Sequence, residues 1–120
     1  MLPIRHALSR LQPSTLIAMH PVITQHLTGI SAICLRYRVS RLELFGSAAR
    51  ADDFHPGRSD ADFLIEFAPD DPADLNRFFG VKSELEQLLG LSVDLLEPGA
   101  IRNPYVLADI NRSRQSIYGA

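Results

Sequence analysis

Asp60 and Asp62 stand two residues apart in the run Ser59-Asp60-Ala61-Asp62-Phe63-Leu64-Ile65, and Asp94 sits in Val93-Asp94-Leu95-Leu96. Side chains two apart on an extended strand project from the same face. Paired carboxylates repel and raise each other's pKa unless a cation lies between them. Mg²⁺ takes oxygen ligands of this kind, commonly one or two carboxylates completed by phosphate oxygens and water. Asp94, on a separate strand with apolar neighbours, is a candidate third carboxylate. Earlier in the chain, Leu44-Phe45 leads into Gly46-Ser47. Glycine lets a backbone approach a ligand closely, Ser47 offers a hydroxyl, and a helical turn opening there would point N–H groups at an anion. These parts describe a nucleoside triphosphate held by protein donors at one end and by metal ions at the other. With two ions, one can activate an attacking hydroxyl while the other steadies the departing pyrophosphate. Either motif alone is commonplace as a strand end or turn; their ordered conjunction points to chemistry.

The elements that must position these residues follow from periodicity. From Pro21 onward, Ile23, Leu27, Ile30, Cys34 and Tyr37 recur at helical steps and predict one helix with a core-facing stripe. Cys34 on that stripe is a packing residue. Arg41 to Phe45 reads as a strand, followed by a helical turn at Ala48–Ala51. Residues 52–59 form a loop marked by Pro56-Gly57. A second strand is expected over Asp60–Phe67, with Asp60, Asp62, Leu64 and Glu66 sharing one face. Asp71-Pro72 predicts a helix start, with Leu75, Phe78, Phe79, Leu85, Leu88 and Leu89 on its stripe and Gly90 at its end. Leu91–Leu96 is the third strand. Asn103-Pro104 opens a last helix expected to run through Ile110 and Ile117 to Gly119. Such alternation predicts an α/β (α+β) fold with a small mixed β-sheet flanked by helices.

Composition sets the outer limits. The 120 residues amount to one domain, read as an N-terminal extension over 1–21, loosely ordered or a short helix, and a catalytic unit over 22–120. No run has the ~18 apolar residues of a membrane span. One cysteine excludes a disulfide scaffold and fits a reducing cytoplasm. Charge is uneven: residues 43–97 hold thirteen acids against four bases, whereas residues 1–42 hold five arginines and no acid. An acidic middle is a poor grip for nucleic acid and a good one for divalent cations. Pro3, Pro13 and Pro21 would break the amphipathic helix of a transit peptide.

Phe45-Gly46-Ser47-Ala48-Ala49-Arg50, the Asp60/Asp62 run and Val93-Asp94-Leu95-Leu96 together resemble the minimal nucleotidyltransferase (MNT) domain of the DNA polymerase β-like nucleotidyltransferase superfamily. The resemblance covers about residues 22–118, including Asn103-Pro104-Tyr105 and Ile117-Tyr118-Gly119. It implies transfer of a nucleotide from ATP to a hydroxyl with Mg²⁺, with two ions expected. Gly46 and Ser47 would then hold the triphosphate, and Asp60, Asp62 and Asp94 would form the catalytic and metal-binding set. Arg50 would reach a phosphate, or else pair with Asp52 or Asp53. Two departures stand out. The twelve residues between Ser47 and Asp60 are two more than the family pattern has, and Ala51 replaces a common glycine. Loop insertions of this size are thermodynamically cheap.

Small stand-alone proteins of this family resemble antitoxins encoded beside a HEPN-domain ribonuclease toxin, as in type VII toxin–antitoxin pairs. The resemblance implies a cognate HEPN toxin as partner and hetero-oligomer, with AMP placed on a toxin tyrosine, where added charge and bulk would block RNA. A non-catalytic antitoxin acting by occupancy and a transferase acting on a small molecule are the alternatives. Glu66 is expected to meet an arginine, His55 to be solvated, and His20, His26, Tyr105 and Tyr118 to pack or lie at the surface.

Overall fold

A computed structural model of the chain describes residues 19–51, 53–69 and 74–119. Most of the expected N-terminal extension, with the helix start at Asp71-Pro72, lies outside the described residues. The described elements are α1 (Pro21–Thr24), α2 (Leu27–Arg36), β1 (Val39–Phe45), α3 (Ser47–Arg50), β2 (Ala61–Phe67), α4 (Leu75–Leu89), β3 (Val93–Leu96), a 3₁₀ turn (Pro98–Ala100), α5 (Pro104–Ser113) and β4 (Gln115–Tyr118).

The stripe that predicts one helix from Pro21 is divided between α1 and α2, with a break at Gln25-His26. His20 caps α1, its Nδ1 accepting from Val22 N–H at 3.1 Å. Met19, just ahead of α1, is 2% exposed and packs in the main core. Asp74 caps α4 by accepting from Arg77 N–H at 2.8 Å, and Gly90 ends that helix in the left-handed conformation at φ 71°.

Strand order is β3-β2-β1-β4. β1 runs antiparallel to β2 and β4, while β2 and β3 are parallel, so the sheet is mixed as expected. One face packs on α1, α2 and α4 through Leu42, Leu44, Phe63, Ile65, Ile30 and Leu85, all fully buried. Truncating such a side chain costs about 2–5 kcal/mol. Cys34 lies in this core, and burial pushes its thiol up to about 12, which makes it inert.

The end of the chain departs from expectation. The last helix stops at Ser113, and Gln115–Tyr118 instead forms β4 on the outer edge of β1. Ile117 continues the 3.6-residue stripe from Ile110 yet is buried on the sheet side, 2% exposed, in the main core. Helical periodicity cannot distinguish these outcomes over four residues; pairing with β1 decides it. Arg114 forms the corner in extended conformation, and its guanidinium meets Glu43 on β1 at 2.6 Å.

On the second face of the sheet, α5 covers only part of the surface. Ile110 packs on Phe45 and Leu64, with Leu96 and Ile101 around them. Asp62 shares this face with Leu64, as Asp94 does with Leu96, because side chains alternate along each strand.

Candidate active site

The strand register brings the carboxylates together. Asp62 on β2 is the direct partner of Asp94 on parallel β3, and on its other side it is opposite Phe45, the last residue of β1. Asp60 lies just before β2 on the face of Asp62. Asp62 is half-buried, whereas Asp60 and Asp94 are exposed. Burial first, then the Asp94 and Asp60 charges, push the Asp62 carboxyl up to about 6. The cluster is therefore electrostatically unfavourable as it stands, which is the environment that a cation relieves.

Gly46 continues directly from Phe45 and places the glycine turn against Asp62. Its φ of 74° and ψ of −155° lie in a region essentially restricted to glycine. A Cβ there would also meet Asp62 Oδ2 at 2.6 Å. The backbone conformation is what reserves this position for glycine, and any Cβ would in addition displace the Asp62 carboxylate. The Gly46 carbonyl accepts from Ala49 and Arg50 N–H, closing α3, and its N–H donates to Ser113 Oγ at 2.9 Å. Ser47 is the first residue of α3 and is half-buried. A four-residue helix has almost no macrodipole, so the hydroxyl and local N–H groups are what this turn can offer an anion.

Arg50 ends α3 with its side chain exposed and, among the described residues, forms no ion pair. Ala51 follows at φ 53°, ψ 33°. The position where the family pattern has glycine thus keeps the left-handed geometry, at a strain of about 1 kcal/mol for alanine.

The longer loop is anchored at both ends. Phe54 is 6% exposed and packs against His20 with ring centroids 4.9 Å apart and planes tilted by 58°. Ser59 Oγ accepts from His55 N–H at 3.0 Å, and the His55 carbonyl accepts from Arg58 and Ser59 N–H. His55 itself is exposed beside Asp53 at 3.3 Å. Beyond Asp60, a cavity of about 490 Å³ opens between Gly57–Asp60 and Gly90–Ser92, with Glu86 at its wall.

Among the described residues, no three His, Cys, Asp or Glu side chains stand close enough to hold one ion together. Mg²⁺ at a triphosphate needs only one or two carboxylates, so the Asp62–Asp94 pair with Asp60 fits that demand. Glu66 is turned to Arg41 at 3.5 Å, as expected. His26 bonds the Val22 carbonyl, Tyr118 is half-buried and Tyr105 is 84% exposed. Ser113 carries no motif signal; only the packing of α5 on this face of the sheet brings its hydroxyl to Gly46.

Comparison with known proteins agrees with this geometry. The model of the nucleotidyltransferase domain family matches residues 28–117. The chain belongs to the nucleotidyltransferase domain family. A relative from Methanocaldococcus jannaschii, named "Putative protein adenylyltransferase MJ0128", is 40% identical over 75 residues, 62% of this chain and 72% of that protein. A solved structure described as a putative minimal nucleotidyltransferase is similar over 89% of this chain and 97% of its own, with 25% identity and a TM-score of 0.61. The same fold occurs in the complex of a tri-AMPylated Shewanella oneidensis HEPN toxin with an MNT antitoxin: TM-score 0.55, 16% identity, 80% of this chain and 71% of that one. This nucleotidyltransferase therefore has the fold expected from its motifs, and no helix among its described residues is long and apolar enough to cross a membrane.

Proposed function

We propose that this nucleotidyltransferase is a divalent-cation-dependent protein adenylyltransferase that transfers AMP from ATP to a tyrosine hydroxyl of a cognate HEPN-domain toxin, and so acts as its antitoxin. The observation that carries the reading is the alignment of Gly46, Asp62 and Asp94 across three neighbouring strand ends. The relative named as a protein adenylyltransferase and the fold shared with an antitoxin bound to an AMPylated toxin support the choice of nucleotide and acceptor.

In this reading Gly46 and Ser47 seat the triphosphate on the β1 side, and the exposed Arg50 guanidinium reaches a phosphate oxygen. The Asp62–Asp94 pair would hold Mg²⁺ by one or two carboxylates, with Asp60 beside it as a ligand to a second ion, and the bound metal would neutralise phosphate charge and lower the barrier to displacement. The acceptor approaches the exposed Asp94 carboxylate on the sheet face that α5 only partly covers. Asp94 Oδ takes the proton of the acceptor hydroxyl as the new O–P bond forms at the α-phosphate. The bond from the α-phosphate to the bridging oxygen breaks, and pyrophosphate leaves with the electron pair, in line with the attack. Exposed Tyr105, Val106 and Leu107 on α5, on the same side of the sheet, offer apolar surface for the toxin.

The test is label transfer from α-labelled ATP with Mg²⁺ to the protein encoded by the neighbouring gene. The expected result is a labelled partner with the parent chain and none with the Asp60→Ala/Asp62→Ala variant. Tight complex formation without label would favour neutralisation by binding. Label on a small hydroxyl compound but not on the partner would favour a small-molecule transferase.

A further inference from the structure

The N–H of Gly46 is held by Ser113 Oγ, sixty-seven residues away at the last position of α5. Ser113 is 4% exposed, and its hydroxyl donates to the Ile110 carbonyl at 3.5 Å while accepting from Gly46. Ile110 in turn is packed on Phe45 and Leu64, so the hydroxyl is supported by a rigid contact. The geometry points to Ser113 as a positioning residue of the nucleotide site, acting through the Gly46 peptide. This inference rests on the nucleotidyl-transfer reading above.

The physical argument starts from glycine itself. Gly46 is the only residue type that tolerates φ 74°, ψ −155°, and it is also the type that leaves any one conformation most easily. Its carbonyl is tied locally by Ala49 and Arg50, which closes α3, whereas the N–H of the peptide joining Phe45 to Gly46 lies beyond those bonds. The Ser113 bond fixes that second peptide. With both fixed, α3 opens at Ser47 beside Asp62 before any ligand arrives. A preformed site avoids the ordering cost that a loose turn incurs on binding. Without the hydroxyl, a part-buried N–H would lose its partner and the turn would sample other conformations.

The test compares the full-length parent with Ser113→Ala, Ser113→Thr, Ser113→Cys and Ser31→Ala. Ser31 is 1% exposed on α2, within the opposite layer, and controls for loss of a buried serine hydroxyl. Titration calorimetry with AMP-PNP and Mg²⁺ is expected to show binding weakened about tenfold in Ser113→Ala. Ser113→Thr, which keeps the hydroxyl, should restore most of that loss. The Cys variant, with a poorer acceptor of similar size, should fall between and covers the case in which the Ala variant does not fold. Ser31→Ala should bind as the parent does. In transfer assays the Ala variant should raise KM for ATP with kcat nearly unchanged, and amide exchange at Gly46 should speed up in that variant alone. Parent-like affinity in the folded Ser113 variants, or equal weakening by Ser31→Ala, would overturn this inference alone. A parent that binds no nucleotide would overturn the nucleotidyl-transfer reading with it.

Discussion

Asp62 and Asp94 are direct partners across the parallel β2–β3 ladder, and each carries its carboxylate on the sheet face that α5 only partly covers. No turn or local motif enforces this pairing; a one-residue slip of β3 would send Asp94 to the opposite face. Burial, reinforced by the Asp94 and Asp60 charges, pushes the Asp62 carboxyl up and sets up a test that needs no substrate.

Because its folded-state pKa of about 6 lies above the ordinary 3.8, Asp62 binds its proton more tightly in the folded than in the unfolded chain. Its contribution therefore turns unfavourable as pH rises between those values and is fully unfavourable above about 6. In metal-free buffer at pH 7.5, Asp62→Asn should stabilise the protein by roughly 1 kcal/mol, a figure discounted for the half-exposed side chain. At pH 3 the difference should vanish. Saturating Mg²⁺ should stabilise the parent more than the variant and narrow the gap at pH 7.5. Thermal melts at the two pH values check this, and a gap insensitive to Mg²⁺ would contradict the metal role.

Gly46→Ala should abolish nucleotide transfer. The methyl group meets Asp62 Oδ2 at 2.6 Å in a conformation closed to alanine, so either the turn or the carboxylate must move. Stability should fall by about 1–3 kcal/mol. Retained transfer at more than a tenth of the parent rate would show that the turn is not part of the site.

Ala51→Gly should act in the opposite sense on stability. Ala51 is left-handed at φ 53°, where glycine carries no Cβ penalty. A gain of about 1 kcal/mol is expected, with nucleotide affinity unchanged or improved. Chemical denaturation measures it, through a higher midpoint at constant slope.

Arg114→Met should destabilise the domain by about 1–3 kcal/mol. Glu43, whose side chain is 14% exposed, would be left without the guanidinium that contacts both its carboxylate oxygens. Replacing both partners together, Glu43→Gln with Arg114→Met, should recover part of the loss. A double-mutant cycle by denaturation reports the coupling.

The three β-strands that carry the candidate site were legible because their alternation is short-range and their ends are marked by glycine or polar turns. Helix starts were partly legible: Asn103 caps α5 by accepting from Tyr105 N–H, as its place before Pro104 predicts. Asp74 is the observed cap of α4, while the start read at Asp71-Pro72 lies outside the described residues. β4 was missed, because Ile117 satisfies helical and strand spacing equally over so short a run.

The sequence by itself determined which chemistry is on offer: Gly46-Ser47, Asp60, Asp62 and Asp94 are informative by type and order, and local propensity puts each at an element end. Only the tertiary structure decided that Asp62 and Asp94 are partners, that Gly46 turns in a glycine-only conformation against the Asp62 carboxylate, and that Ser113 returns from the end of α5 to hold it. Register, close approach and long-range hydrogen bonding depend on residues far apart in the chain, and no local periodicity encodes a distance between them.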